Sequence, residues 1–140
     1  MKLHFHLTIE PDWRSAPLAF WVHVPVAGST TQFIPAAPAP VPHKGFVFLH
    51  VDVAGVDLQF SSLAQLDHFI EVMEAKPLPT TRRLSGKRDS SAGPNSHWLS
   101  RLPAHLKAPK ERAKLVSQLR AVRQQLPPCG ESWQSCLGFL

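Results

Sequence analysis

Residues 2–9 alternate strictly, with Leu3, Phe5, Leu7 and Ile9 on one side and Lys2, His4, His6 and Thr8 on the other. A period of two marks a half-buried strand, so a strand is expected here. Beyond a bend from Pro11 to Pro17, Leu18–Val26 reads as a second strand, with Leu18, Phe20, Val22 and Val24 opposite Trp21 and His23. AGSTT then supplies a turn into a short third strand at Thr31–Ile34. Pro35, Pro38, Pro40 and Pro42 remove backbone donors and fix φ, which makes PAAPAPVPH an extended loop. Gly45–Val53 and Val56–Phe60 follow as two strong strands, and the Ala54-Gly55 spacing predicts a tight hairpin.

From Ser62 the period changes. Ser62 and Gln65 make a capping-box pair, and Leu63, Leu66, Phe69, Ile70 and Met73 recur at three- and four-residue steps, so a helix is expected to lie on the sheet and end before Pro77. The segment over 76–96 is rich in Pro, Ser, Gly and cations and has no period, which reads as a linker or functional loop. HWLSRL gives one or two helical turns, capped by Asn95 or Ser96 and stopped by Pro103. A longer helix is expected from Pro109, with Leu115, Leu119, Val122 and Leu126 as its stripe, ended by Pro127-Pro128. The predicted fold is therefore α+β: one antiparallel sheet of about five strands (βββ-loop-ββ-α) with a basic helical segment at its C-terminal side. One domain is expected over 1–140. It divides into a β-rich body with the first helix over 1–75, the basic loop over 76–96, the helical basic segment over 97–126, and a tail over 127–140.

Charge adds what the periods do not contain. Residues 1–75 hold Lys2, Arg14 and Lys44 against seven acids, a net charge of −4, whereas residues 76–140 hold twelve cations against Asp89, Glu111 and Glu131, a net +9. So lopsided a field suits a polyanion or an acidic protein surface; a solubilising face is the plainer alternative. The strongest candidates are Arg82, Arg83, Lys87, Arg88, Arg101, Lys107, Lys110 and Arg112, whose clustering would neutralise phosphates and release counterions. Ser90, Ser91, Asn95 and Ser96 would add hydrogen bonds to phosphate oxygens. Trp98 has the chemistry to stack on a base, but its leucine neighbours at helical spacing favour a core position.

Other chemistry is weakly signalled. His4, His6, His23 and His50 all fall on predicted strands, and His4 with His6 and either of the others would make a three-ligand metal site of a hydrolase. His6-Leu7-Thr8 matches one histidine-x-threonine element of two-histidine phosphoesterases, but the second element is missing. There is no nucleophile elbow and no glycine-rich phosphate loop, and Asp52, Asp57, Glu71 and Glu74 read as solvated positions, so no enzyme and no cofactor are expected. Cys129 and Cys136 read as free thiols, with a C-terminal clip as the alternative. The start lacks a secretory apolar stretch and no run of eighteen apolar residues occurs, so a soluble cytoplasmic protein without a membrane partner is expected.

At RSAPLAFWVHVPVAG, PAPVPHKGF and GPNSHWLSRLPAHLK the chain resembles small uncharacterised proteins carried on integrative and conjugative elements of proteobacteria. That resemblance implies a setting of mobile DNA and no particular functional residue. It leaves two expectations: a non-enzymatic accessory or regulatory protein that binds nucleic acid, DNA before RNA, or a protein-binding inhibitor or adaptor, for instance of a host defence complex, whose basic face meets an acidic partner.

Overall fold

The computed structural model describes residues 3–28, 31–38, 40–53, 55–76, 78 and 98–125. Strand β1 spans Leu3–Glu10, and β4 (Phe46–Val53) and β5 (Val56–Phe60) form the expected hairpin. These three make one antiparallel sheet in the order β1-β4-β5, with Leu7 opposite Leu49 and Leu49 opposite Phe60. The alternation read from the sequence sets its faces: Val47, Leu49, Val51 and Val53 enter the main core, while Phe48 and His50 project from the other side.

The expected five-stranded sheet is thus three strands plus a separate pair, β2 (Val24–Pro25) with β3 (Phe33–Ile34). The predicted strand over Leu18–Val26 is formed only at Val24–Pro25; Ala19–Val22 is instead one helical turn, α1, preceded by a 3₁₀ turn at Trp13–Ser15. LAFWVHV is apolar at nearly every position, so its pattern suits either period. Burial decided: Leu18 and Ala19 with His23, four residues beyond Ala19 and on one side of a helical turn, are buried, and Phe20 is exposed. Pro25 lacks an N–H and limits further ladder growth in β2.

Helix α2 spans Leu63–Glu74 and starts at the predicted cap, where Ser62 Oγ accepts from the Gln65 backbone N–H at 3.2 Å. The Gln65 side chain accepts from Ser61 N–H at 3.0 Å, one residue upstream of the usual capping-box partner. A 3₁₀ turn at Trp98–Arg101, a short helix α3 (Ala104–Lys107) and a long helix α4 (Pro109–Gln125) follow. The predicted caps Asn95 and Ser96, the stripe position Leu126 and both cysteines lie outside the described residues.

The main core lies between the sheet and these helices. Leu66, Phe69, Ile70 and Met73 of α2 meet the inner sheet face, Leu115, Leu119 and Val122 of α4 join the same core with α4 packed on α2, and Trp98, Leu99, Leu102 and Leu106 close it. Trp98 is a core residue: its ring stacks on Phe69 at 4.9 Å, and Phe69 meets Phe60 edge-on at 5.5 Å. A smaller cluster of Trp13, Ala16, Ala19 and Phe48 covers part of the outer sheet face. Gly45 passes close against the end of β1, since a Cβ there would stand 2.5 Å from the Glu10 carbonyl oxygen.

Candidate functional site

The expected nucleic-acid-binding residues divide into three groups. Arg82, Arg83, Lys87 and Arg88 lie outside the described residues. Arg101 and Lys110 are exposed and Lys107 is half-buried, all on the stretch from the 3₁₀ turn to the first turn of α4. Arg112, by contrast, turns inward: its Nη1 donates to the carbonyl oxygens of Ala75 at 3.0 Å and Met73 at 3.4 Å. Those carbonyls are at the C-terminal end of α2, where the helix dipole is negative and the last acceptors have no partner in the helix, so a guanidinium is well suited there.

Helical geometry separates the cations of α4 by type. Arg112, Arg120 and Arg123 flank the core stripe and reach α2, where Arg120 pairs with Glu74, and Arg123 grips Asp67 with Nε–Oδ1 2.5 Å and Nη2–Oδ2 3.2 Å. The hydrogen bonds and charge of Asp67 raise the Arg123 pKa further above its ordinary value. Lys110 and Lys114, one helical turn apart, take the opposite side and remain exposed, Lys114 lying 3.9 Å from Glu111. Glu74 is therefore an interhelical partner and not a merely solvated acid.

The strand histidines do not gather round one point. His23 lies at the C-terminal end of α1 and is buried, with Nδ1 2.9 Å from the Pro35 carbonyl oxygen and Nε2 2.9 Å from Ser62 Oγ. A carbonyl only accepts, so Nδ1 carries the proton and Nε2 accepts from the serine hydroxyl. Burial lowers the His23 pKa below its usual value against the opposing effect of the Pro35 bond, which keeps the ring neutral.

His6 and His50 sit opposite each other on β1 and β4, and their rings stack at 4.8 Å and 7°. Nearly parallel rings aim their in-plane lone pairs side by side, not at a shared ion. Among the described residues no three His, Cys, Asp or Glu side chains form a metal-holding group. His50 Nε2 lies 2.6 Å from Thr8 Oγ1, and Nδ1 lies 3.2 Å from both oxygens of Asp57. Carboxylate, imidazole and hydroxyl thus stand in the order that activates a nucleophile. The Thr8 hydroxyl, however, also bonds Glu10 at 3.0 Å, and two carboxylates here oppose a developing oxyanion or a phosphate. The trio is best understood as a polar clasp across β1, β4 and β5; sequence spacing contained no signal for it, because its members are brought together by register.

A third grouping was also invisible in the sequence. Trp13, Arg14 and Phe33 converge on the outer side of the smaller core, the Arg14 guanidinium lying 5.2 Å from the Trp13 ring centroid and 5.8 Å from that of Phe33. Asp12 holds the turn that presents them, accepting the Arg14 backbone N–H at 3.0 Å.

No family model, curated protein or solved structure matches this chain. Among the described residues no helix is long and apolar enough to cross a membrane.

Proposed function

We propose that this chain is a non-enzymatic accessory or regulatory protein of a mobile genetic element that binds nucleic acid, DNA in the first place, through the cations of its second half. The observation that supports this reading is the division of labour in α4. Its arginines are used against the acids and carbonyl ends of α2, while Lys110 and Lys114 stay exposed on the far side, and Arg101 and Lys107, exposed and half-buried, precede them in the chain. Cations needed for folding and cations left for a partner are thereby distinct sets, and Arg112 belongs to the first. The binding set is Arg101, Lys107 and Lys110 together with Arg82, Arg83, Lys87 and Arg88 of the basic loop. Affinity from such a set would be largely independent of base sequence and would fall steeply with salt.

Mobility shift of an unrelated duplex across a salt series tests this. Wild-type protein is expected to retard the duplex at low salt, and neutralising Arg101, Lys107 and Lys110 to glutamine should lower the slope of log K against log salt by about 0.9 for each phosphate that is no longer neutralised. A wild-type protein that retards no nucleic acid at any salt would overturn the proposal and move the same surface to an acidic protein partner.

A further inference from the structure

Two cavities, of about 410 and 570 Å³, share Trp13, Arg14 and Phe33 as walls. Ala19, Phe20, His23 and Pro25 complete the smaller one. Volumes of this size, with aromatic walls and few polar groups, are those of small-ligand sites. Arg14 is the one cationic side chain in either lining, no acidic residue lines them, and Arg14 forms no ion pair among the described residues. Its guanidinium lies over the Trp13 and Phe33 rings, whose cation–π contacts favour that position.

The surroundings point the same way. Phe20, Val24 and Ile34 are 47%, 39% and 69% exposed, and Val24 and Ile34 pair with each other next to Pro25 and Phe33 of the cavity walls. Apolar side chains left this exposed beside an apolar cavity mark a contact surface. His23 adds no charge here, since both ring nitrogens are engaged elsewhere. What fits is a flat ring bearing one negative group: the ring against the half-exposed Phe20, the anion on Arg14.

We propose that this is a nucleotide site, taking a nucleobase into the smaller cavity with its phosphate on Arg14. The choice of a nucleotide among aromatic anions rests on the nucleic-acid reading above. Two sources share the chemistry, a free mononucleotide and an unpaired nucleotide within a strand. A base inside a duplex has its faces covered by its neighbours, so the site predicts preference for single strands over duplex, with stacking and not hydrogen-bond readout supplying the contact.

The full chain is titrated calorimetrically with deoxyadenosine monophosphate, with a short deoxythymidine oligonucleotide and with a blunt duplex, using wild type, Arg14→Gln and Phe20→Ala. Both substituted side chains are exposed, and an unchanged thermal midpoint shows that each variant is folded. Expected is binding of the mononucleotide and of the single strand in preference to duplex, each weakened about tenfold in either variant. Mononucleotide binding that depends on Arg14 and Phe20, without binding of either polymer, would support a free-nucleotide site and overturn the nucleic-acid reading. Duplex and single strand bound equally, with no mononucleotide binding and no effect of the variants, would overturn the site and leave that reading standing. Absence of all three would overturn both.

Discussion

His23 Nε2 lies 2.9 Å from Ser62 Oγ, and this one contact ties the segment between β1 and β4 to the cap of helix α2. Ser62 donates to the imidazole and accepts from Gln65, so the bond couples a helix start to a loop anchored by Pro35. The neighbouring Ser61 hydroxyl donates to the Trp13 carbonyl at 3.0 Å and fastens the same segment a second time.

Protonating His23 removes the acceptor that Ser62 uses. Because burial depresses the His23 pKa in the fold, the unfolded chain binds the proton more readily over the interval between the two values. The stability contribution is therefore complete above the unfolded value of about 6.5 and is lost as pH falls from there through the lowered folded value. Urea midpoints measured at pH 7.5 and at progressively lower pH should decline over that window, and decline less in His23→Gln; an identical slope in the variant would refute the assignment.

Removing the Arg112 side chain leaves the carbonyls of Met73 and Ala75 without their donor. Arg112→Ala should cost about 1–3 kcal/mol of stability, whereas Lys110→Ala on the exposed side should stay within about 0.5 kcal/mol. Chemical denaturation of the two variants side by side checks the difference. Equal effects would mean that the arginine does not cap α2.

The ion pair between Arg123 and Asp67 is well aligned but half-exposed, at 46% and 49% of the two side chains. A double-mutant cycle with Arg123→Ala and Asp67→Ala should return a coupling of about 0.2–1 kcal/mol that shrinks in high salt. A coupling of several kcal/mol that salt leaves unchanged would show that the pair is shielded from solvent.

Gly45 has φ +126° and faces the Glu10 carbonyl. Gly45→Ala should destabilise by roughly 1–3 kcal/mol, because both the backbone conformation and the 2.5 Å approach are closed to a Cβ. Gly55→Ala, which meets nothing within 4 Å, suffers only the conformational part. Thermal unfolding of both variants is the check, with the greater loss at Gly45.

Phe69 lies between Phe60 and Trp98, joining sheet, α2 and the 3₁₀ turn at Trp98–Arg101. Phe69→Ala should cost about 3–5 kcal/mol, and Trp98→Ala a comparable amount if that turn is part of the same cooperative core. A Trp98 variant of wild-type stability in equilibrium unfolding would show that the turn docks independently.

Where one physical pattern governs a stretch, the chain already contained its structure. Strict alternation made Leu3–Glu10 a strand, and the Ala54-Gly55 spacing joined β4 to β5. Ser62 with the stripe through Met73 defined α2, and Pro109 opened α4, because capping, turn chemistry and amphipathic period are local properties. Charge asymmetry was likewise legible, and so was the core position of Trp98. Tertiary structure alone decided the remainder. Leu18–Val26 suited two periods until burial of Ala19 and His23 chose the helical turn, and the five strands split because β2 had only β3 to pair with. The bonds of His50 to Thr8 and Asp57, of Arg112 to Ala75 and of His23 to Ser62 join residues 7 to 42 positions apart. Such bonds depend on strand register and helix packing, and no local preference of the chain encodes which distant donor meets which acceptor.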